Sequence, residues 1–485
     1  MLLTDKQYLQ LVADALAKEI LPELVNPGPR SAAEYSISAL LELIKRADHL
    51  PAQINERSAA GLALADRLVQ LGASDAAEVA ALRDRFAREK QHPESAFSAL
   101  LTLLDDGGKA LLANRSSDRV TTSWLRDAAD WECAYYTTFA ATPTPEISVD
   151  ATAKPLTPAK LQRHLRARLD QPALEVTDFI GIPGGMCNET FFCTLRSPGE
   201  ADRRVVVRKN TPDPLFDFGA HRVTEEFGTL SCLSDQGLRV AKPLWLFRDL
   251  PDVDGNFYLT TFGAGRKVGG LDGATEELPE RLLLSVAEFM AQLHAIPPER
   301  FAPYYPPSDS PLHLGDTAEQ AVRRYVDQFY RVWSTTDRFP SPAEAFAIDW
   351  LRRNVPKNRN PAVMLHTDCF VHNFLVDDNN EIATVLDWEC SHFGDPAEDL
   401  AYIKEHISAR MDWDRFIDHY LASGGQPIDR DSMGYYNALL YFRNFWGCNK
   451  GVMRVATGLS DVKMITLGSA HRTRYMKLCI DDAVA

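Results

Sequence analysis

The segment HTDCFVHN, residues 366–373, places chemically capable side chains close together. Asp368 and Asn373 carry oxygen atoms that can accept a proton or bind a hard cation, and His366 stands beside them. A further acid, Asp387, follows in the stretch ATVLDWE. The apolar runs AVML and ATVL that precede these residues predict short strands. Polar side chains at the ends of such strands can project into a cleft rather than into the core.

This set of groups is the one that phosphoryl transfer needs. A carboxylate must orient an attacking hydroxyl and accept its proton, while oxygen ligands hold Mg²⁺ against the phosphates of a nucleotide. Asp368 would be the base, Asn373 and Asp387 the metal ligands, and His366 a support for the loop. The simpler interpretation is that the Asp and Asn residues form turns. The second acid at the end of a β-branched strand favours the chemical interpretation.

The pattern H-x-D-x-x-x-x-N, followed by h-h-D-W-E, resembles the aminoglycoside phosphotransferase family, which is related to the protein kinases. Residues 394–403, GDPAEDLAYI, extend the likeness, because the family usually carries G-D-P-x-x-D-L-A there. The resemblance spans roughly residues 172–470. It implies an α+β, kinase-like bilobal fold with ATP and Mg²⁺ as cofactors. Thr367 departs from the family, which normally has glycine between the His and the Asp.

The resemblance also implies where the nucleotide phosphates bind. Residues 181–190, GIPGGMCNET, are similar to the family's G-G-x-S-N nucleotide loop, with Cys187 in place of the serine. The run RRVVVRK occupies the place of the strand whose cation contacts the phosphates. Arg208 is the aligned residue, and Lys209 beside it remains an alternative.

Two further features of the family can be matched. Glu226 corresponds to the helix glutamate that holds the cation in place, with Glu225 as the competing choice. Residues 257–265, FYLTTFGAG, resemble the hinge that pairs its backbone with adenine. The implied nucleotide-binding residues are therefore Gly184, Gly185, Asn188, Arg208, Glu226, Thr260, Thr261 and Phe262.

The acceptor site is less defined by sequence. Residues 435–451, YYNALLYFRNFWGCNKG, carry aromatic side chains at helical spacing, a pattern that favours a core helix. In the family, however, the late helices line the acceptor site. The candidates for acceptor contacts are His372, Tyr441, Arg443, Asn444 and Trp446.

The predicted secondary structure changes along the chain and divides it into four segments. We expect a helical accessory domain over residues 1–140, a linker over 141–158, a kinase-like N-lobe over 159–265 and a C-lobe over 266–485, with residues 155–485 folding on their own. Within them, Gly72 and DDGG at 105–108 predict helix ends. Thr157 followed by Pro158 predicts a helix start.

Composition limits the classes of partner. The net charge of −15 argues against non-specific binding to nucleic acid or anionic lipid. No apolar run approaches the ~20 residues of a membrane span, and the charged N-terminus does not resemble a signal peptide. The eight cysteines form no C-x-x-C pair, so we expect reduced thiols in a cytoplasmic protein.

The expected function is that of a fused catabolic kinase acting on a small organic acceptor. The N-terminal helices resemble the small partners of bacterial catabolic phosphotransferases. The kinase part resembles the acyl-CoA-dehydrogenase-associated branch, which implies a hydroxyacyl-CoA or, as in related systems, a phenolic ketone as acceptor. An aminoglycoside kinase and a nucleotide-binding pseudokinase acting through its helical domain are the alternatives. A protein kinase is disfavoured because no A-P-E follows Asp387. A homodimer is left open.

Overall fold

The computed structural model describes most of the chain between residues 5 and 484. The described ranges exclude residues 26, 47–49, 91–92, 116–117, 135–153, 183–187, 212–214, 217, 271–272, 306–312, 336–339 and 457–462.

The N-terminal part is helical, as predicted. Its helices are α1 (Asp5–Ala15), α2 (Pro27–Arg46), α3 (Leu50–Gln70), α4 (Ala76–Arg88), α5 (Glu94–Arg115) and α6 (Arg119–Cys133). The predicted end at Gly72 is confirmed, because α3 stops there and Gly72 has a φ of +71°. The predicted end at DDGG is wrong, because α5 continues through it. A Cβ on Gly107 would clash with Leu68 of α3, so this glycine lets two helices approach closely.

A small antiparallel sheet follows. Its elements are α7 (Pro158–Leu169), β1 (Glu175–Ile182), β2 (Asn188–Arg196), β3 (Arg203–Asn210), α8 (Val223–Asp235), β4 (Pro243–Phe247) and β5 (Phe257–Thr261). The strands lie in the order β1-β2-β3-β5-β4. The start of α7 is confirmed, since the Thr157 hydroxyl accepts the Lys160 N–H at 3.3 Å and Pro158 is the first helical residue.

The hydrophobic core beneath this sheet decides which way the side chains of β3 point. Leu161 and Leu165 of α7 pack with Val205 and Val207 of β3 in one buried cluster. Successive side chains of a strand point to opposite faces. Arg208 therefore lies on the face of β3 opposite to this core.

The remaining elements alternate between helices and short strands. They are β6 (Gly269–Gly270), β7 (Gly273–Ala274), α9 (Glu280–His294), α10 (Ala318–Thr335), α11 (Pro342–Arg353), β8 (Val363–Leu365), β9 (Phe374–Val376), β10 (Ile382–Val385), β11 (His392–Gly394), α12 (Pro396–Ser408), α13 (Trp413–Ala422), α14 (Met433–Ala456) and α15 (Lys463–Val484). Antiparallel pairs form between β6 and β7, β8 and β11, and β9 and β10. Short 3₁₀ or π turns lie at Leu16–Ile20, Leu21–Glu23, Gly219–His221, Pro298–Arg300, Ala302–Tyr304 and Arg430–Ser432.

The compact units do not follow the four segments expected from the sequence. The first unit comprises Met1–Val149, Val326–Asn354 and Ala438–Ala485, and the second comprises Asp150–Tyr325 and Val355–Asn437. The N-terminal helices thus share a unit with α11 and α15. This grouping differs from the four expected segments, and the folding of residues 155–485 on their own stays a prediction.

A buried polar network explains the membership of the first unit. The Glu132 carboxylate of α6, 2% exposed, accepts the Ser341 hydroxyl at 2.8 Å and the Ala343 N–H at 2.9 Å at the start of α11. It also accepts Arg472 Nη2 of α15 at 2.7 Å. A buried charge must be paired and hydrogen-bonded. The network therefore ties a helix from the middle of the chain and one from its end to the N-terminal helices.

Candidate active site

Two short ribbons of the second unit position the polar residues. In the first, Leu365 of β8 pairs with His392 of β11. In the second, the last residue of β10 pairs with the first residue of β9. Because Asn373 immediately precedes β9 and Asp387 follows β10, both lie at the same end of this ribbon. The Leu386 N–H donates to the Asn373 carbonyl at 2.7 Å and fixes this arrangement. The strands predicted around the motif are therefore present.

His366 is an internal support of the loop. Its side chain is fully buried, and Nε2 donates to the Leu386 carbonyl at 2.9 Å. Its Nδ1 accepts the Asp368 N–H at 3.2 Å, so the ring is the neutral tautomer with the proton on Nε2. Burial lowers the pKa of His366 below its ordinary value. These contacts leave no role for the ring in proton transfer.

The carboxylate of Asp399, in α12, holds the backbone of the loop. It accepts the N–H groups of His366, at 3.0 Å, and of Thr367, and the Nε2–H of His294 at 3.0 Å. Burial opposes the charge of Asp399, but these donors, His294 foremost, lower its pKa. Thr367 has a φ of +60°, a conformation costly for a β-branched residue and free for the glycine that the family normally has there.

The Asp368 carboxylate receives donors from three side chains. Asn373 Nδ2 donates to Oδ2 at 2.8 Å. The Tyr402 hydroxyl donates to Oδ1 at 2.6 Å, and His372 Nε2 lies 3.3 Å from the same oxygen. Although burial disfavours the charged imidazole, the hydrogen bond to Asp368 raises the pKa of His372. Because the Asn373 amide nitrogen is used for this contact, its Oδ1 is the atom suited to a cation.

Arg208 joins the small sheet to the motif residues. Its Nη2 lies 2.9 Å from Asp387 Oδ1, 2.9 Å from Glu389 Oε2 and 3.3 Å from Glu226 Oε1. Its Nη1 donates to the Thr190 hydroxyl at 3.2 Å. Burial opposes the charge, but the carboxylates of Glu226, Asp387 and Glu389 raise the pKa of Arg208 well above its ordinary value. Arg208 is therefore a permanent cation among three acids.

The two alternatives left open by the sequence make other contacts. Lys209, on the opposite face of β3, pairs with Glu189. Glu225 contacts Thr224 and Arg222. Of the candidate pairs, only Arg208 and Glu226 meet each other among the described residues.

The nucleotide loop is described only in part. Gly184 and Gly185 lie outside the described residues. Asn188 is 2% exposed, and its Nδ2 donates to Glu389 Oε2 at 3.2 Å and to the His221 carbonyl at 3.3 Å. Its Oδ1 accepts Asn210 Nδ2 at 2.9 Å. Asn188 therefore links the end of the loop to Glu389.

The predicted hinge residues differ in exposure. Thr260 is buried in β5, where its backbone pairs with Val206 and Pro243. The Thr261 N–H donates to the Lys242 carbonyl at 2.9 Å. Phe262, which follows the strand, is 37% exposed. Of the three, Phe262 has the most exposed side chain, and the Arg204 guanidinium lies 4.0 Å from its ring centroid.

The chain after Phe262 is fixed against β9. Arg266 and Val376 exchange two backbone hydrogen bonds of 2.9 Å. Gly265 has a φ of +105°, and a Cβ there would lie 2.9 Å from the Leu375 Cβ. Glycine is required at this approach. The hinge segment and the strand beginning next to Asn373 therefore form one continuous piece of structure.

The acceptor candidates are divided between the units. His372 contacts Asp368 in the second unit, whereas Tyr441, Arg443, Asn444 and Trp446 belong to the first. Arg443 and Trp446 are 4% and 0% exposed, and the Trp446 ring meets Phe329 edge-on at 6.0 Å. Trp446 and Arg443 are therefore buried, as expected for a core helix. Tyr441 and Asn444 are half-buried.

Two residues of the site were missed at the sequence level. Glu389 is the last letter of the DWE motif, and its bonds to Arg208 and Asn188 could have been suspected from the conjunction of two acids there. Tyr402 follows Asp399 by one helical turn in DLAYI. Since Asp399 holds the loop, a residue three positions later shares its face of α12, and that spacing is the signal that points to Tyr402.

Comparison with protein families decides the assignment. The model of the phosphotransferase enzyme family, APH, matches residues 178–436. The chain belongs to this family. The match covers more than half of the chain and confirms the resemblance and the α+β, kinase-like fold expected from the motifs.

Among curated relatives, acyl-CoA dehydrogenase family member 11 of Mus musculus is 27% identical over 261 residues, 52% of this chain and 31% of the relative. Probable acyl-CoA dehydrogenase IBR3 of Arabidopsis thaliana is 24% identical over 292 residues, 53% of this chain and 34% of the relative. This phosphotransferase thus spans about a third of the length of the curated relatives that it matches. The expected likeness to the acyl-CoA-dehydrogenase-associated branch is confirmed.

Solved structures show similarity of lower degree. Macrolide 2'-phosphotransferase from Brachybacterium faecium has a TM-score of 0.41 and 20% identity, covering 63% of this chain and 96% of that one. Spectinomycin phosphotransferase in complex with ADP and spectinomycin has a TM-score of 0.42 and 15% identity, covering 68% and 98%. Within the described ranges, the helices are all too short or too polar to cross a bilayer.

Proposed function

We propose that this phosphotransferase moves the γ-phosphoryl group of ATP to a hydroxyl of a small organic acceptor, with Mg²⁺ as cofactor. The observation that carries the proposal is the meeting of Arg208 with Glu226 and Asp387 next to the Asp368–Asn373 pair. In this proposal Arg208, held by Glu226, contacts the phosphates. The guanidinium suits this task because its planar donors match phosphate oxygens.

The donor set fits Mg²⁺. Arg208 carries one positive charge among the carboxylates of Glu226, Asp387 and Glu389, so negative charge is in excess. In the described part of the chain, no group of three His, Cys, Asp or Glu side chains could hold a metal alone. That matches Mg²⁺, which binds one or two carboxylates together with substrate phosphates. Asn373 Oδ1 and Asp387 would hold the ion, which supplies neutralisation of phosphate charge.

Asp368 is the base in this proposal. Its carboxylate lies at the loop end that His366 and Asp399 fix, so its main chain is rigid. A carboxylate held in one orientation can align a hydroxyl and accept its proton. Phe262 and the hinge would contribute the surface for adenine.

For the acceptor, we propose a hydroxyacyl-CoA or a phenolic or aromatic ketone in a catabolic pathway. One observation supports this choice over an aminoglycoside. The curated relatives are named as acyl-CoA dehydrogenases.

The test is a screen for ADP release in the presence of Mg²⁺ and ATP. The acceptors are hydroxyacyl-CoAs, phenolic ketones, aminoglycosides and water alone. We expect stimulation by one of the first two classes, abolished by EDTA and by Asp368→Asn. The matched control is Asp378→Asn, which changes an exposed acid of the β9–β10 turn and should have no effect.

Two results would overturn the proposal. Stimulation by aminoglycosides alone would assign the antibiotic-modifying activity instead. Binding of Mg²⁺-ATP without ADP release for any acceptor would assign a pseudokinase.

A further inference from the structure

The base of this site has a hydrogen-bond partner that its motif does not contain. The Tyr402 hydroxyl donates to Asp368 Oδ1 at 2.6 Å. His372 Nε2 contacts the same oxygen at the longer distance of 3.3 Å. Hydrogen bonds to a charged acceptor are short and about twice as strong as neutral ones. Of these two described contacts to Oδ1, the bond from Tyr402 has the shorter, stronger geometry.

The helix that carries Tyr402 is itself well fixed. Asp395 caps α12 by accepting the Ala397 N–H at 2.9 Å, and Asn358 Nδ2 donates to the same carboxylate at 2.7 Å. One turn later, Asp399 grips the backbone at His366 and Thr367. Tyr402 lies one further turn along the same face. The helix therefore contacts the loop at two points. Asp399 binds the loop backbone, and Tyr402 binds the side chain of Asp368.

A carboxylate base needs this second hold. The terminal torsion of an aspartate is broad, so a fixed backbone alone does not fix where its two oxygens point. Asn373 Nδ2 holds Oδ2, and Tyr402 holds Oδ1. Together they define the plane of the carboxylate and thus the direction of the lone pairs that remain for an acceptor hydroxyl.

We infer that Tyr402 is a positioning residue, whose hydroxyl orients the Asp368 carboxylate toward the acceptor. This inference rests on the proposed function, since it takes Asp368 as the base. Tyr402 acts through Asp368 and needs no contact with substrate. A misplacement of reacting groups by about 1 Å can cost on the order of 100-fold in rate, so a partial loss of orientation should be measurable.

The test is Tyr402→Phe, which removes only the hydroxyl. ADP release is measured first with water as acceptor and then with the acceptor found in the screen described above. We expect kcat to fall about 10-fold, with the KM for acceptor and the Kd for Mg²⁺-ATP changed less than about twofold, because the loss affects geometry rather than binding.

Tyr304→Phe is the matched control. The Tyr304 hydroxyl also donates to a carboxylate at 2.6 Å, that of Asp235. This control should keep full activity, and both variants should remain folded at the assay temperature, as circular dichroism can show. A tenfold loss in Tyr304→Phe as well would show a general effect of losing such a bond and would overturn the inference.

A double variant separates positioning from a merely structural role. If Tyr402 acts through Asp368, the change Tyr402→Phe should cost nothing further in an Asp368→Asn background, because effects of groups that act as a unit are not additive. An additional tenfold loss there, or full activity of Tyr402→Phe alone, would overturn the inference. If Asp368→Asn itself retained wild-type turnover, the base assignment of the proposed function would fall first.

Discussion

Replacing Arg208 by methionine tests whether the acids around it depend on its charge. The variant keeps an unbranched apolar stem and removes the cation bonded to Glu226, Asp387 and Glu389. Removing one partner of a buried ion pair costs about 3–5 kcal/mol. Glu226 is 1% exposed, but the Asp387 side chain is 33% exposed, and exposed pairs contribute little. We therefore expect a loss near the lower bound, about 3 kcal/mol of unfolding free energy.

The loss in Arg208→Met should depend on pH. Burial already raises the pKa of Glu226, and Arg208 opposes that rise. Without Arg208 the pKa of Glu226 rises further, so the folded variant binds a proton that the unfolded chain releases. Stability then falls as pH rises through that raised pKa. The deficit relative to wild type should be smaller at pH 5 than at pH 8.

Thermal unfolding followed by circular dichroism at both pH values measures this effect. The control is Arg196→Met on the neighbouring strand, whose guanidinium pairs with Asp202 and is half-exposed. We expect no change in its melting temperature. Equal melting temperatures for the two variants, or a deficit in Arg208→Met that is the same at pH 5 and pH 8, would refute the reasoning.

The other predictions concern the proposed base, the proposed metal ligands and the first unit. Asp368→Asn should lower turnover by roughly 100-fold or more while leaving the ATP affinity nearly unchanged, as kinetics and calorimetry can show, because the amide cannot accept the proton. Asp387→Ala should abolish Mg²⁺-dependent nucleotide binding, and unchanged affinity by calorimetry would remove it as a ligand. Asn373→Ala should be milder and recover in part at higher Mg²⁺. Glu132→Gln should destabilise the first unit by about 3 kcal/mol in denaturant unfolding, since buried Arg472 loses its countercharge, whereas the exposed neighbour change Asp130→Asn should have no effect.

The parts of the site that sequence could predict are those in which chemistry dictates both residue type and spacing. Asn373 and Asp387 flank short strands that the apolar residues predict, so the pairing of these strands brings both residues to one end of the ribbon. The choice of Arg208 over Lys209 also follows from alternation along β3, once the core face of that strand is known.

The parts that sequence could not predict depend on contacts between distant segments. Gly107 in DDGG looks like a helix stop, yet it is the point where α5 approaches Leu68. Asn188 belongs to the predicted nucleotide loop, and its amide bonds to Glu389, which is about 200 positions further along. Local sequence propensity does not reveal either of these contacts. The same limit applies to the grouping of the first unit.

The grouping of the chain into units has a consequence for biosynthesis. The first unit contains Met1–Val149 but also Ala438–Ala485, a segment that is synthesised much later. Arg472, the cation that neutralises Glu132, is made more than three hundred residues after it. During synthesis the Glu132 carboxylate and the apolar faces of the early helices therefore stay exposed to water until Arg472 has been made. Contacts of such long sequence separation also form slowly. The second unit, whose contacts lie within Asp150–Asn437, can be complete while the first is still open. Co-translational folding should then proceed from the middle of the chain outwards, and the N-terminal helices should be the segment that most needs a chaperone.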